Sequence, residues 1–172
     1  MSASEFVAAV LLYVAPLYLA NSCAMLFHGK TPLDFGKRFF DGRPLLGKGK
    51  TFKGAVMGVS IGFLVAIAIS LFFGSQISWF YSDYAFFGLV ISAGGIIGDV
   101  VKSFFKRRLG FEQGSQLFLI DQLDFVVGGL LFSWFLRVPS VSEIAVILVL
   151  TVFMHKAANY FAFKIRLKRV PW

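Results

Sequence analysis

Apolar residues in this chain run in long blocks rather than in the short polar–apolar cycles of a soluble helix or strand. Crossing a bilayer as a helix takes about 20 mostly apolar residues, within a workable range of roughly 17–25. Five stretches meet that requirement: 7–27, 54–73, 85–101, 117–136 and 144–163. The fifth is the least clean, because His155, Lys156 and Asn159 interrupt its second half. No internal repeat is visible. The pattern predicts an all-α integral membrane protein, a five-helix transmembrane bundle forming one domain over 1–172, with polar loops at 28–53 and 102–116.

Charge orients the bundle. The loop after the first stretch carries Lys30, Lys37, Arg38, Arg43, Lys48, Lys50 and Lys53, and the loop after the third carries Lys102, Lys106, Arg107 and Arg108. The end of the fifth stretch and the tail add Lys156, Lys164, Arg166, Lys168 and Arg169. Only Arg137 falls on the other side. Short loops rich in Lys and Arg stay in the cytoplasm, so the N-terminus is expected outside and the C-terminus inside, as five spans require.

Composition supports this reading: 58% of residues are hydrophobic and 15% charged, whereas soluble domains hold about 45–50% and about 25%. The single Cys23 excludes an intramolecular disulfide and a Cys-rich zinc cluster, and His28 and His155 are too few for a histidine cage. A net charge of +8 points to anionic partners such as lipid headgroups, phosphates or nucleotides. The tail from Lys164 to Arg169 suits anchoring to anionic lipid equally well. The N-terminus lacks a basic signal-peptide region, so the first stretch is expected to remain in the mature protein.

Three carboxylates sit where hydrocarbon should forbid them: Asp99, Asp121 and Asp124. A charge at a span centre costs at least about 2.5–3.5 kcal/mol on insertion scales, less near the ends. Asp121 and Asp124 are spaced i, i+3 and share a helix face, and an antiparallel neighbour brings Asp99 to that face. Oxygen donors without nearby histidine or thiol suit Mg²⁺, which takes one or two carboxylates and completes its shell with water and phosphates. Two other readings stay open: ion pairing with Lys102, Lys106 or Arg107 to hold the helices, and a proton or cation relay. A relay needs stations across the span, and these carboxylates cluster at one end.

The segment Gly47-Lys48-Gly49-Lys50-Thr51 invites comparison with a P-loop, but Pro44 stands where that pattern needs glycine and no strand precedes it. A P-loop fold is excluded. Flexible glycines, two ammonium groups and a hydroxyl just before a helix start at Gly54, with Lys53 added, still make an anion cradle; a merely solvated basic loop is the alternative. If the third helix continues past the membrane, Asp99, Ser103, Lys106 and Arg107 share one face, an arrangement suited to metal-bound pyrophosphate. Asn21, Lys156 and Asn159 are costly in lipid and are expected to face the bundle interior, although Lys156 could snorkel to the headgroups instead.

Ser103-x-x-Lys106-Arg107 followed by Asp121-x-x-Asp124 resembles the signature of membrane-bound phosphatidate cytidylyltransferases. The short length, the five spans and Gly42-Arg43-Pro44-Leu45-Leu46-Gly47 with Lys50-Thr51 and Gly54 resemble its archaeal branch, the CDP-archaeol synthases, along essentially the full chain. The chain departs from the bacterial signature: Glu112-Gln113 stands where Lys-Asp is expected, no His-Gly-Gly precedes Asp121, and Gln122 replaces arginine. These departures favour an ether lipid.

The resemblance implies that CTP reacts with 2,3-bis-(O-geranylgeranyl)-glycerol 1-phosphate to give a CDP-activated lipid and pyrophosphate. It implies Mg²⁺ on Asp99, Asp121 and Asp124, with Ser103, Lys106 and Arg107 completing the catalytic set. Asn21, Arg43, Lys50, Thr51, Lys53 and Lys156 are the candidate substrate-binding residues. The partners implied are CTP, the prenylated glycerol phosphate and membrane lipids, with no nucleic acid, at a multi-pass site facing the cytoplasm. Phosphatidic acid as the substrate, or a small anion transporter, are the alternatives. A CDP-alcohol phosphotransferase is discounted because Asp41-Gly42-Arg43 does not extend into that family's longer carboxylate motif.

Overall fold

The computed structural model describes residues 1–115, 117, 119–164 and 166, apart from the side chains of Asn159 and Ala162. Among the described residues five helices follow one another: α1 (Ala3–Leu26), α2 (Phe52–Ile77), α3 (Tyr84–Arg108), α4 (Ile120–Ser133) and α5 (Val141–Lys164). Among the described residues there is no strand, only isolated bridges at Pro32–Thr51 and Arg38–Pro44. Among the described residues four segments are long and apolar enough to cross a membrane: α1, α2, α3 and Val141–Ala158 of α5.

The fourth span differs from its expected 117–136. With 14 residues, α4 rises only about 21 Å, short of the roughly 30 Å hydrocarbon core. Leu119 stops it at one end by adopting a left-handed backbone, φ 68°, which no helix can propagate through. At the other end the N–H groups of Leu136 and Arg137 both turn back onto the Ser133 carbonyl, at 2.8 Å each. In contrast, α3 runs seven residues beyond its expected span, to Arg108. The N-terminus of α1 is closed by a Ser2–Glu5 capping box.

Lipid offers helices no hydrophobic drive to associate, so close backbone approach through small residues must hold them. Gly54, Gly58 and Gly62 on α2 lie successively against the carbonyls of Ala24, Ala20 and Pro16 on α1, where an added Cβ would come within 2.6–2.9 Å. The Gly54–Gly58 spacing therefore serves packing within the chain. On the other side, Gly94 and Gly98 of α3 meet Gly128 of α4 backbone to backbone. The central helix α3 packs on α1, α2 and α4, around a core that includes Tyr13, Leu17, Phe87, Ile91 and Val126.

The edge helix α5 buries Glu143, Ile147 and Thr151, one residue per turn. Its start is held by Arg137, whose guanidinium forks onto Glu143 at 2.7 and 3.2 Å, donates to the Tyr13 hydroxyl at 3.0 Å, and lies 4.4 Å over the Phe80 ring. The lone basic residue of this end is thus neutralised internally.

Candidate active site

The 28–53 loop is ordered by one carboxylate. Asp34, buried to 5% exposure, accepts from the N–H groups of Gly36 at 2.9 Å, Leu46 at 2.8 Å and Gly47 at 3.2 Å. Burial pushes this carboxyl up, but those three N–H donors outweigh it and hold it below its ordinary value. Thr51 closes the base of the loop. Its hydroxyl caps α2 by accepting from Gly54 N–H at 3.2 Å and also accepts from Gly29 N–H at 2.9 Å, which leaves it only its own proton to donate.

The far part of the loop is clamped to the end of α3. Arg43 donates to the Arg108 carbonyl at 2.6 Å, a favourable place for a cation at a helix C-terminus. Arg108 pairs with Asp41 at 2.9 Å, donates to the Pro44 carbonyl, and lies over the rings of Phe39 and Phe104 at 4.6 and 5.1 Å. The clamp delivers Lys50, whose ammonium pairs with Asp99 on α3.

The close α3–α4 contact brings the carboxylates together. Gly98 precedes Asp99, and its Cα face abuts the Asp124 carbonyl. Lys102, one turn after Asp99, stands among all three acids: its Nζ lies 2.7 Å from Asp124, 3.1 Å from Asp121 and 3.4 Å from Asp99. Lys106 lies 2.9 and 3.0 Å from the two Asp121 oxygens and donates to the Ser115 carbonyl at 2.6 Å. Asp121 also accepts from Leu117 N–H at 2.7 Å, tying the strained entry of α4 to the cluster. Among the described residues no three His, Cys, Asp or Glu side chains form a ready metal cage; the Lys102 ammonium stands among the three acids instead. The buried Asp124 Oδ2, although 2.7 Å from that ammonium, has no well-directed hydrogen bond. An oxygen so placed suits a cation that attracts from any direction, and the all-oxygen donor set fits a hard divalent ion.

Two cavities meet at this cluster. One, of about 320 Å³, is walled by the basic loop and α3, with Lys50, Lys102, Ser103, Lys106, Arg107 and Asp121 facing it. Arg107 is only 9% exposed, its Nε has no partner, and among the described residues no carboxylate pairs with it. A buried guanidinium left without an anion is a place for one. The other cavity, of about 590 Å³, is an almost wholly apolar groove between α3 and α4 that ends at Lys102, Lys106 and Asp124. Lys102 and Lys106 belong to both walls.

Of the sequence candidates, Asp99, Ser103, Lys106, Arg107, Asp121, Asp124 and Lys50 converge. Ser103 is buried but bonds back to the Asp99 carbonyl at 2.9 Å. Arg43 and Thr51 are engaged in holding the loop. Lys53 is exposed, its stem against Gly29. Asn21 is half-buried on α1, one turn before Ala24, which lines a small cavity beside Lys50 and Asp99. Lys156 lies on the exposed outer half of α5, and the Asn159 side chain is outside the described residues, as are Lys168 and Arg169. Lys102, offered by the sequence only as an ion-pair partner of the acids, pairs with all three, and Asp34 and Arg108 lie outside the sequence candidates. Lys102 could have been found from its spacing: i+3 from Asp99 and i−4 from Lys106, on the face that carries the acids.

The family model described as "CarS-like: CDP-archaeol synthase" matches residues 4–172. A CDP-archaeol synthase of Methanospirillum hungatei is 42% identical over 164 residues, covering 91% of this chain and 99% of the relative. One of Methanocaldococcus jannaschii is 40% identical over 173 residues, covering 95% and 96%. A solved structure described as an intramembrane enzyme for archaeal membrane lipids biosynthesis superposes with a TM-score of 0.78 at 32% identity, covering 87% of this chain and 91% of that one.

Proposed function

We propose that this chain, which belongs to the CDP-archaeol synthase family, is a CTP-dependent cytidylyltransferase that converts 2,3-bis-(O-geranylgeranyl)-glycerol 1-phosphate into its CDP-activated form with release of pyrophosphate. The observation that carries this reading is the shared wall: Lys102 and Lys106 border both the basic cavity and the apolar groove. A water-soluble triphosphate and a two-chain lipid phosphate must meet at one point while their remaining parts stay in opposite solvents. The groove holds prenyl chains, and the loop cavity, on the cytoplasmic side, holds the nucleotide.

The chemistry needs no covalent intermediate on the protein. An oxygen of the lipid phosphate attacks the α-phosphorus of CTP, the bond from that phosphorus to the bridging oxygen of the β-phosphate breaks, and pyrophosphate leaves with the electron pair. Such a step depends on alignment and on neutralising negative charge. Lys102 and Lys106 hold the lipid phosphate at the groove end, while Arg107 and Lys50 receive the triphosphate. Ser103 borders the same cavity with its hydroxyl on α3. Asp99, Asp121 and Asp124 are the residues that would hold Mg²⁺, which would supply charge neutralisation and leaving-group stabilisation.

The test uses purified protein in detergent with Mg²⁺, CTP labelled in cytidine, and the digeranylgeranyl lipid phosphate, reading label transferred to the organic phase. Transfer that disappears with EDTA and in Asp124→Asn supports the reading. Efficient transfer to phosphatidic acid but not to the ether lipid overturns the substrate assignment. No transfer to either lipid by folded protein overturns the enzyme assignment, and flux of anions across vesicles is then measured.

A further inference from the structure

We infer that Lys102 is a resident cation of the carboxylate cluster, holding Asp99, Asp121 and Asp124 together in the substrate-free protein and moving to phosphate when metal and nucleotide arrive together. This rests on the reading above that the cluster takes a divalent ion. Three acids inside a helix bundle repel one another and carry a large desolvation cost unless a positive charge stands among them. Lys102 does so, with an oxygen of each acid within 2.7–3.4 Å of its ammonium.

Charge balance determines when that ammonium leaves. The three acids are matched one for one by Lys50, Lys102 and Lys106. A bare divalent ion added to this neutral cluster leaves a surplus of positive charge beside three ammonium groups that are at least partly buried, which opposes its entry. A metal–triphosphate complex instead brings net negative charge, and Arg107, which has no carboxylate partner among the described residues and a buried Nε without a hydrogen bond, lines the cavity that would receive it. Metal and CTP therefore enter as one unit. Lys102 has somewhere to go, because its side chain lines both the nucleotide cavity and the groove end. A short swing exchanges carboxylate oxygens for phosphate oxygens. Before substrate binds, the same ammonium excludes adventitious metal from the acids.

The test is Mn²⁺ binding to the full chain in detergent, followed by loss of the free-ion electron paramagnetic resonance signal, with and without CTP. For wild type, CTP is expected to tighten Mn²⁺ binding by about tenfold or more beyond the affinity of Mn²⁺ for CTP alone. For Lys102→Met, Mn²⁺ without nucleotide is expected to bind at least about tenfold tighter than to wild type, with a thermal midpoint that becomes strongly Mn²⁺-dependent. Lys102→Arg, which keeps the charge, is expected to bind Mn²⁺ without nucleotide no tighter than wild type. If Lys102→Met binds Mn²⁺ no better than wild type while CTP-dependent binding persists and is lost in Asp124→Asn, the resident-cation role is overturned and the metal reading stands. If the wild-type protein adds nothing to Mn²⁺ binding even with CTP, the metal reading fails and this inference fails with it. The wild-type comparison stands alone should Lys102→Met not fold: equal Mn²⁺ affinity with and without nucleotide overturns the inference.

Discussion

Substituting Gly98 with alanine connects helix packing to catalysis through a single methyl group. An added Cβ at Gly98 would lie 2.4 Å from the carbonyl oxygen of Asp124 and 2.9 Å from the Gly128 Cα. Ordinary contact begins near 3.4 Å, so α3 and α4 must part locally by about 1 Å. Both neighbours are backbone and cannot rotate away. The displacement falls between Asp99 and Asp124, where Lys102 bridges at 2.7 Å. Overpacking of this kind costs about 1–3 kcal/mol of stability, while a misplacement of about 1 Å at reacting groups costs on the order of 100-fold in rate. Gly98→Ala is therefore expected to lose roughly 100-fold in kcat/KM for CTP while still folding. The assay is label transfer in lipid nanodiscs, paired with thermal unfolding of the same preparation. Gly74→Ala is the control: nothing lies within 4 Å of its Cβ position, so its activity stays at wild type and its stability within about 1 kcal/mol. A folded Gly98→Ala enzyme with wild-type turnover would refute the argument that helix approach sets the site.

Three further outcomes are expected. Arg107→Lys keeps the charge but loses the planar fork; KM for CTP should rise by roughly tenfold, and an unchanged KM in steady-state kinetics would remove Arg107 from the nucleotide site. Glu143→Gln leaves the Arg137 guanidinium with a weakened partner at the opposite end of the bundle, costing about 2–3 kcal/mol; thermal unfolding should show the loss while kcat is unaltered, and a fall in kcat would mean the two ends are coupled. Asp34→Asn should loosen the 28–53 loop at a cost of about 1–3 kcal/mol, seen as faster proteolysis within that loop. Because the Asp34 carboxyl is held below its ordinary 3.8, the unfolded loop binds the proton more tightly; the stabilisation is complete above about pH 5 and lost as pH falls through the depressed value. Loop proteolysis by an acid-active protease should therefore rise below that pH in wild type and show no such step in Asp34→Asn.

Long apolar blocks are legible without tertiary information, because hydrocarbon requires each segment to satisfy its own backbone and a helix does so locally. That is why α1, α2 and α5 sit close to their expected ranges, and α3 covers its own before running on to Arg108. Position also exposed the three acids, since a carboxylate in a span is conspicuous wherever its partners are. What sequence could not supply was the shortness of α4. The hydropathy of 117–136 is continuous; the left-handed turn at Leu119, beside the Leu117–Asp121 bond, delays the start of the helix, and the return of the Leu136 and Arg137 N–H groups onto the Ser133 carbonyl closes its end. Nor could it rank the cations. Lys50, Lys102 and Lys106 are alike as charges in a list of basic residues; their separate roles come from the Gly94–Gly98–Gly128 contact that brings α4 against α3, and from Asp34 and Arg108 folding a distant loop back over the acids. Composition and periodicity decide which segments enter the membrane, because that is a transfer free energy summed residue by residue. Which ammonium faces which carboxylate depends on approaches of an ångström between segments far apart in the chain, and only the packed structure decides those.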